Sequence, residues 1–179
     1  MREDIQEILF DEKTLAARVA QLGSEITRDY QGKNLLLVCI LKGSLVFMAD
    51  LMRHIQIPAS IDFMSVSSYG SGVNSSGEVK IIKDLDRPVQ GADLLIVEDI
   101  LDSGQTLFHL CRMLRRRGPA SLRIAVLLDK PERRQVEIRP DYTGFEVPDR
   151  FLVGYGLDYD EKYRNLPFVG ILKPEVYTR

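Results

Sequence analysis

Glu98, Asp99 and Asp102 fall within five residues of one another, and Ser103, Gly104, Gln105 and Thr106 follow directly. The acids stand at the exit of an aliphatic run, LLIV at 94–97, and the turn DSGQT leads into an apolar segment with helical spacing. On residue types alone such acids can form a solvated turn, with Asp102 or Ser103 as an ordinary helix cap. The combination says more. Gly104 permits close backbone approach, and Ser103 and Thr106 carry hydroxyls. The first turn of a helix offers free N–H groups at the positive end of its dipole, so the stretch suits a phosphate. Acids beside a phosphate cradle suit a sugar phosphate. The carboxylates take hydroxyls or a hydrated Mg²⁺ while the turn takes the phosphate. The same negative charge can face a cation developing on the sugar.

Other phosphate-binding patterns fail. Gly72 and Gly77 have the outer spacing of a Walker loop, but Glu78 follows where that loop needs Lys. No G-x-G-x-x-G occurs. LLIVED alone resembles the opening of a receiver domain, which has no use for a D-S-G-Q-T turn.

The elements that must position these residues follow from hydrophobic periodicity. The first thirty residues read as helix, because Leu15, Val19, Leu22, Ile26 and Tyr30 share one helical face. Asp11 is a plausible cap and Gln31-Gly32 a plausible stop. NLLLVCIL is apolar throughout rather than alternating, as in a strand buried on both sides. SLVFMADLMRHI reads as helix and SIDFMSVSSY, 60–69, as strand. Residues 65–78 are Ser/Gly-rich and too polar to pack. VKIIKDLD and LLIVEDIL are strands, GQTLFHLCRMLRRRG is a helix ended by Gly118-Pro119, and SLRIAVLLDKP is a strand. A polar, proline-containing passage follows, then a short strand and a loop in DRFLVGYGLDYDEKYRNLPF. Strands alternating with helices predict an α/β fold with a mostly parallel central sheet flanked by helices. In such sheets ligands bind at the carboxyl ends of the strands, where Glu98 and Asp99 fall.

The chain has 179 residues, 45% of them hydrophobic, and a formal net charge of −2. That fits one domain and argues against a surface built wholly for nucleic acid. The longest apolar run, LLLVCIL, is far below the ~20 residues of a membrane helix. The N-terminus has no signal-peptide layout. Cys39 and Cys111 sit in no Cys/His cluster, so structural zinc is not expected and a reduced, cytoplasmic setting is.

The stretch 94–106 resembles the phosphoribosyl pyrophosphate signature of the type I phosphoribosyltransferases. ILKGSLVFMADLMR at 40–53, SSYG at 67–70, LLDKP at 127–131 and FLVGYGLDYDEKYRNLPFVG at 151–170 are similar to the hypoxanthine-guanine branch of that family. The resemblance implies the type I fold as a single domain. Its core would span about 34–150, with a small hood from the N-terminal segment and about 151–179. It implies transfer of a phosphoribosyl group to a purine base, with Mg²⁺ as cofactor. Glu98 and Asp99 would hold the ribose hydroxyls directly or through metal-bound water, and Asp102, Ser103, Gly104, Gln105 and Thr106 would wrap the 5′-phosphate. Asp102 would be the general base, or hydrogen-bond partner, at purine N7. Lys42 and Gly43, with a Leu41-Lys42 peptide that can be cis, and Arg164 would take pyrophosphate. Lys130 would donate to the purine 6-oxo group, Phe151 would stack on the base, and Leu152 would use its carbonyl at the exocyclic position. Asp158 would help hold magnesium or receive the guanine amine. Ser68 and Tyr69 would form the tip of a lid that keeps water from the reacting sugar.

Small-molecule substrates, no nucleic acid, no membrane and a homodimer or homotetramer complete the implied picture. The competing reading is an RNA-binding regulator on the same fold. It rests on Arg112, Arg115, Arg116 and Arg117, with Arg123, Arg133 and Arg134 nearby. The ordinary alternative for that run is a solvated helix end, where positive charge suits the dipole.

Overall fold

The computed structural model describes residues 1–68 and 79–178. The order of regular elements is β1 (Ile5–Phe10), α1 (Glu12–Asp29), β2 (Leu35–Leu41), α2 (Leu45–Arg53), β3 (Ala59–Ser68), β4 (Val79–Lys83), β5 (Asp93–Leu101), α3 (Gln105–Arg115), β6 (Ser121–Asp129), β7 (Tyr142–Glu146), β8 (Leu152–Val153), β9 (Val169–Leu172) and α4 (Pro174–Tyr177).

Six strands form the main sheet in the order β4-β3-β2-β5-β6-β7. The four pairings from β3 to β7 are parallel, and β4 closes one edge antiparallel to β3. Period-2 alternation explains why β2 and β5 are apolar throughout. Leu35, Leu37, Cys39, Leu95 and Val97 face the layer of α1 and α2. Leu36, Val38, Ile40, Leu94 and Ile96 face the layer of α3. Each helix brings one stripe to its layer. Leu15, Val19, Leu22 and Ile26 of α1 are fully buried, as are Leu107, Leu110, Cys111 and Leu114 of α3. The α/β expectation with helices on both faces is therefore met. Asp11 caps α1 by accepting from the Thr14 N–H at 2.8 Å, as its position predicted.

A second sheet, β1-β9-β8, is antiparallel. Residues 5–10 are a strand, not the start of the first helix, which begins only at Glu12. Ile5 pairs with Leu172 and Phe10 with Val169, so the partner that makes this segment a strand lies at the other end of the chain. β7 and β9 were likewise not foreseen. Phe10 of β1 stacks on Phe145 of β7 with centroids 4.0 Å apart, which joins the two sheets. No helix among the described residues is long and apolar enough to cross a membrane.

The turn after β8 carries the contact that seats it on the loop after β2. Gly156 has φ +104°, and a Cβ there would strike the Gly43 carbonyl oxygen. Gly156→Ala is expected to destabilise the fold by about 1–3 kcal/mol from backbone conformation alone. Chemical denaturation with an unchanged midpoint would contradict that seating.

Candidate active site

The strand β5 runs on past its acids to Leu101, so Glu98 and Asp99 lie inside the sheet rather than on a turn beyond it. Leu94 to Val97 are fully buried, and the acid pair that follows is half-buried. Burial, with Asp99 alongside, pushes Glu98 well above the usual carboxylate range. Burial also raises Asp99. The Glu98 side chain, the Ile100 N–H that Asp99 accepts at 2.8 Å, and the positive charge of Arg164 all pull it back down.

At Gly104 the chain turns with φ +83° and starts α3. The helix has no side-chain cap. Asp102 does not cap it, because its Oδ1 accepts instead from Arg133 Nε at 3.0 Å. The Ser103 hydroxyl accepts only a long contact, 3.4 Å, from the Gln105 N–H. The leading N–H groups of α3 thus remain available to an anion. A cavity of about 250 Å³ opens over them, lined by Glu98, Asp99, Asp102, Ser103, Gly104 and Thr106. Gln105 is not in that lining; its side-chain amide donates to Gln135 at 3.4 Å.

A second cavity of about 410 Å³ meets the first at Ile100 and Asp102. Lys130, Phe151, Leu152 and Asp158 line it. Lys130 is only 7% exposed. Its ammonium donates to the Arg150 carbonyl at 2.7 Å, leaving further N–H bonds for a ligand. Phe151 is 36% exposed. Its ring stacks on Tyr177 at 4.8 Å and meets Tyr159 edge-on at 5.4 Å.

The Leu41-Lys42 peptide is cis. Gly43 lies so close to Asp99 that an added Cβ would strike its carboxylate. Lys42 itself points to Glu161, 3.1 Å away, and both are well exposed. Arg164 donates to the Gly156 carbonyl at 2.8 Å and pairs with Asp158 at 2.9 Å. Arg164 lines neither of the two joined cavities. It borders a separate space of about 430 Å³ beside α1 and α2. Asp158 is held by Arg164 and by the Glu161 N–H. Among the described residues no three acids, histidines or cysteines gather as a ready cation site. The side chain of Ser68, the whole of Tyr69 and the rest of the expected lid to residue 78 lie outside the described residues.

Sequence reasoning did not assign Arg133, Asp149, Tyr177 or Ile100 to this site, yet all line the 410 Å³ cavity. The only local signal was proximity to Lys130 and Phe151. One arginine of the basic run and the three near it are engaged within the chain. Arg117 holds Asp84 bidentately, Arg123 pairs with Asp29, and Arg134 pairs with Asp129.

Residues 6–160 match the family described as the phosphoribosyl transferase domain. The chain belongs to that family. It is 52% identical over all 179 residues to the hypoxanthine-guanine phosphoribosyltransferase of Streptococcus thermophilus, covering 99% of that protein. The Bacillus subtilis enzyme of the same name is 54% identical, with 99% of this chain and 98% of that one covered. A crystal structure of a hypoxanthine phosphoribosyltransferase from Staphylococcus aureus superposes with a TM-score of 0.97 at 51% identity, covering 100% of this chain and 97% of that one. The RNA-binding alternative finds no support among these relatives.

The raised carboxyl of Glu98 fixes the sign of a pH effect. A carboxyl whose folded value exceeds its unfolded one holds its proton more tightly when folded. Its contribution is therefore lost as pH rises from near 4.5 through the folded value. Glu98→Gln removes this loss. It is expected to raise the melting temperature at about pH 8 and change it little at about pH 4. A variant that melts below wild type at about pH 8 would contradict the burial argument.

Proposed function

We propose that the chain transfers the phosphoribosyl group of phosphoribosyl pyrophosphate to hypoxanthine, and to guanine, releasing pyrophosphate and giving the purine nucleotide. The observation that carries this reading is the place of Asp102. It borders both the cavity over the phosphate turn and the cavity of Lys130 and Phe151. The bond formed in the reaction, between purine N9 and ribose C1′, belongs where those cavities meet.

The roles follow from the chemistry of each group. The turn 102–106 takes the 5′-phosphate on backbone N–H groups and hydroxyls. Glu98 and Asp99 take the ribose hydroxyls. As N9 attacks C1′, N7 loses its proton, and Asp102 accepts it. The nearby anionic charge steadies the positive ribose left as pyrophosphate departs. Lys130 can only donate. It therefore suits a purine with oxygen at C6 and opposes adenine, which presents an amine there. Phe151 stacks on the base, and the Leu152 carbonyl and Asp158 receive an exocyclic amine. Lys42 and the Gly43 loop take the pyrophosphate, and Lys42 must leave Glu161 to do so. Arg164, whose planar fork suits phosphate, borders the separate space beside α1 and α2 and must turn from Asp158 to join them. Ser68 and Tyr69 are the proposed lid tip.

Hard carboxylate oxygens suit Mg²⁺, and Glu98, Asp99 and Asp158 are the residues proposed to hold it; the three do not gather into one cation site among the described residues, so Asp158 would have to leave Arg164 to join the pair. When bound, such an ion would supply positive charge against the pyrophosphate. The smaller sheet is proposed as the hood over the core. Two buried free cysteines agree with a cytoplasmic setting, and a homodimer or homotetramer is the proposed assembly.

The test is a steady-state assay with phosphoribosyl pyrophosphate, Mg²⁺ and each of hypoxanthine, guanine, xanthine, adenine and uracil. Hypoxanthine and guanine are expected to exceed adenine in kcat/KM by at least about 100-fold. Asp102→Asn is expected to lose about 10²- to 10⁴-fold. Absence of turnover with every purine would sink this function.

A further inference from the structure

Asp102 is tethered on one side only. Its Oδ1 accepts from Arg133 Nε at 3.0 Å, while Oδ2 accepts nothing from a described residue. The other end of the same guanidinium reaches Asp149 Oδ2 at 3.4 Å. Asp149 Oδ1 in turn lies 3.8 Å from the Lys130 ammonium. Four side chains thus form one chain of alternating charge around the 410 Å³ cavity, with Asp102 at one end and Lys130 at the other.

The backbone that carries Arg133 is itself fastened to the phosphate turn. The Gln135 N–H donates to the Ser103 carbonyl at 2.9 Å, and the Arg133 N–H to the Lys130 carbonyl at 3.1 Å. The side chains of Val136 and Ile138 sit against Gly104. Beneath them Arg134 is anchored on Asp129. Arg133 is therefore presented from a fixed base, although its side chain is 49% exposed and that of Asp102 is 43% exposed. So exposed an ion pair adds little to folding stability. Its geometry matters more than its strength.

We propose that Arg133 is a positioning residue for phosphoribosyl transfer. It holds the Asp102 carboxylate by one oxygen so that the other faces purine N7. Through Asp149 it also fixes the separation of that oxygen from the Lys130 ammonium. A purine with a 6-oxo group must meet both at once, through N7 and O6. A carboxylate free to turn about its own bonds would meet N7 in only a fraction of encounters. The inference rests on the transfer reading given above.

The experiment uses the full chain with phosphoribosyl pyrophosphate, Mg²⁺ and hypoxanthine. It compares wild type, Arg133→Ala, Arg133→Lys, Asp102→Ala and the Asp102→Ala/Arg133→Ala double variant. Arg133→Ala is expected to lower kcat about 10-fold or more, with KM for phosphoribosyl pyrophosphate changed by no more than about twofold. Arg133→Lys, which keeps a cation within reach of Asp102, is expected to recover most of the loss. In the double variant the Arg133 change is expected to add almost nothing to the loss from Asp102→Ala, because it acts through that carboxylate. Three results would overturn the proposal. Arg133→Ala could keep the wild-type kcat. It could raise the rate, which would make Arg133 a mask over Asp102. Or the two losses could multiply in the double variant, as independent sites do. A wild type inactive on all purines would instead remove the transfer reading, so the two failures are distinguishable.

Discussion

Glu98 and Asp99 stand side by side near the end of a strand whose preceding residues are buried on both faces. β2 holds β5 from one side as far as Val97, and β6 holds it from the other as far as Leu101. Desolvation raises both carboxyls, and of the chain's own cations it is Arg164 that pulls Asp99 back. Charge is costly in such a place until something with hydroxyls or positive charge arrives. The surroundings keep the approach clear. Glycine at 43 lets the loop after β2 lie against Asp99, where any side chain would collide with the carboxylate. A rigid parallel sheet thus holds the acids in a state that favours ligation over solvation.

The other half of the site has little regular structure. Lys130 and Arg133 follow β6, Phe151 and Leu152 enter β8, Asp158 lies in the loop beyond it, and Tyr177 ends the last helix. What fixes them is a set of individual bonds: ammonium to the Arg150 carbonyl, guanidinium to Asp102 and Asp149, ring on ring at Phe151 and Tyr177. On the proposed reading the sheet fixes the sugar and phosphate side. On the same reading the loops fix the base side, where single donors and acceptors would decide specificity.

How far this was legible in the sequence follows from how local each feature is. β2, β5, β6 and the three longer helices show themselves through apolar residues at strand or helix period, since the core that buries them is continuous along each segment. β1 does not. Its Gln6 and Glu7 are exposed and its apolar residues fit a helical stripe, so only pairing with β9, from the far end of the chain, makes it a strand. The acids and the phosphate turn are legible because their residues are consecutive. Lys130, Phe151 and Asp158 were singled out only through resemblance to a family. Arg133 stands out in the sequence only beside the basic run of the RNA-binding alternative, because its partner Asp102 lies 31 residues away and no periodicity links them.

The start of α3 shows what the site gives up. Asp102 and Ser103 stand where a capping side chain is ordinarily found, and a cap is worth about 1 kcal/mol to a helix. Neither provides one: Asp102 turns to Arg133, and Gly104 at φ +83° begins the helix bare. A chain selected for stability alone would close this end. Leaving it open keeps the amide groups for an anion, and turning Asp102 aside carries its carboxylate into the neighbouring cavity. The uncapped helix and the raised acids of β5 therefore have one cause. On the proposed reading, positions that would serve the fold are held for a ligand, and binding of that ligand would return the stability they withhold.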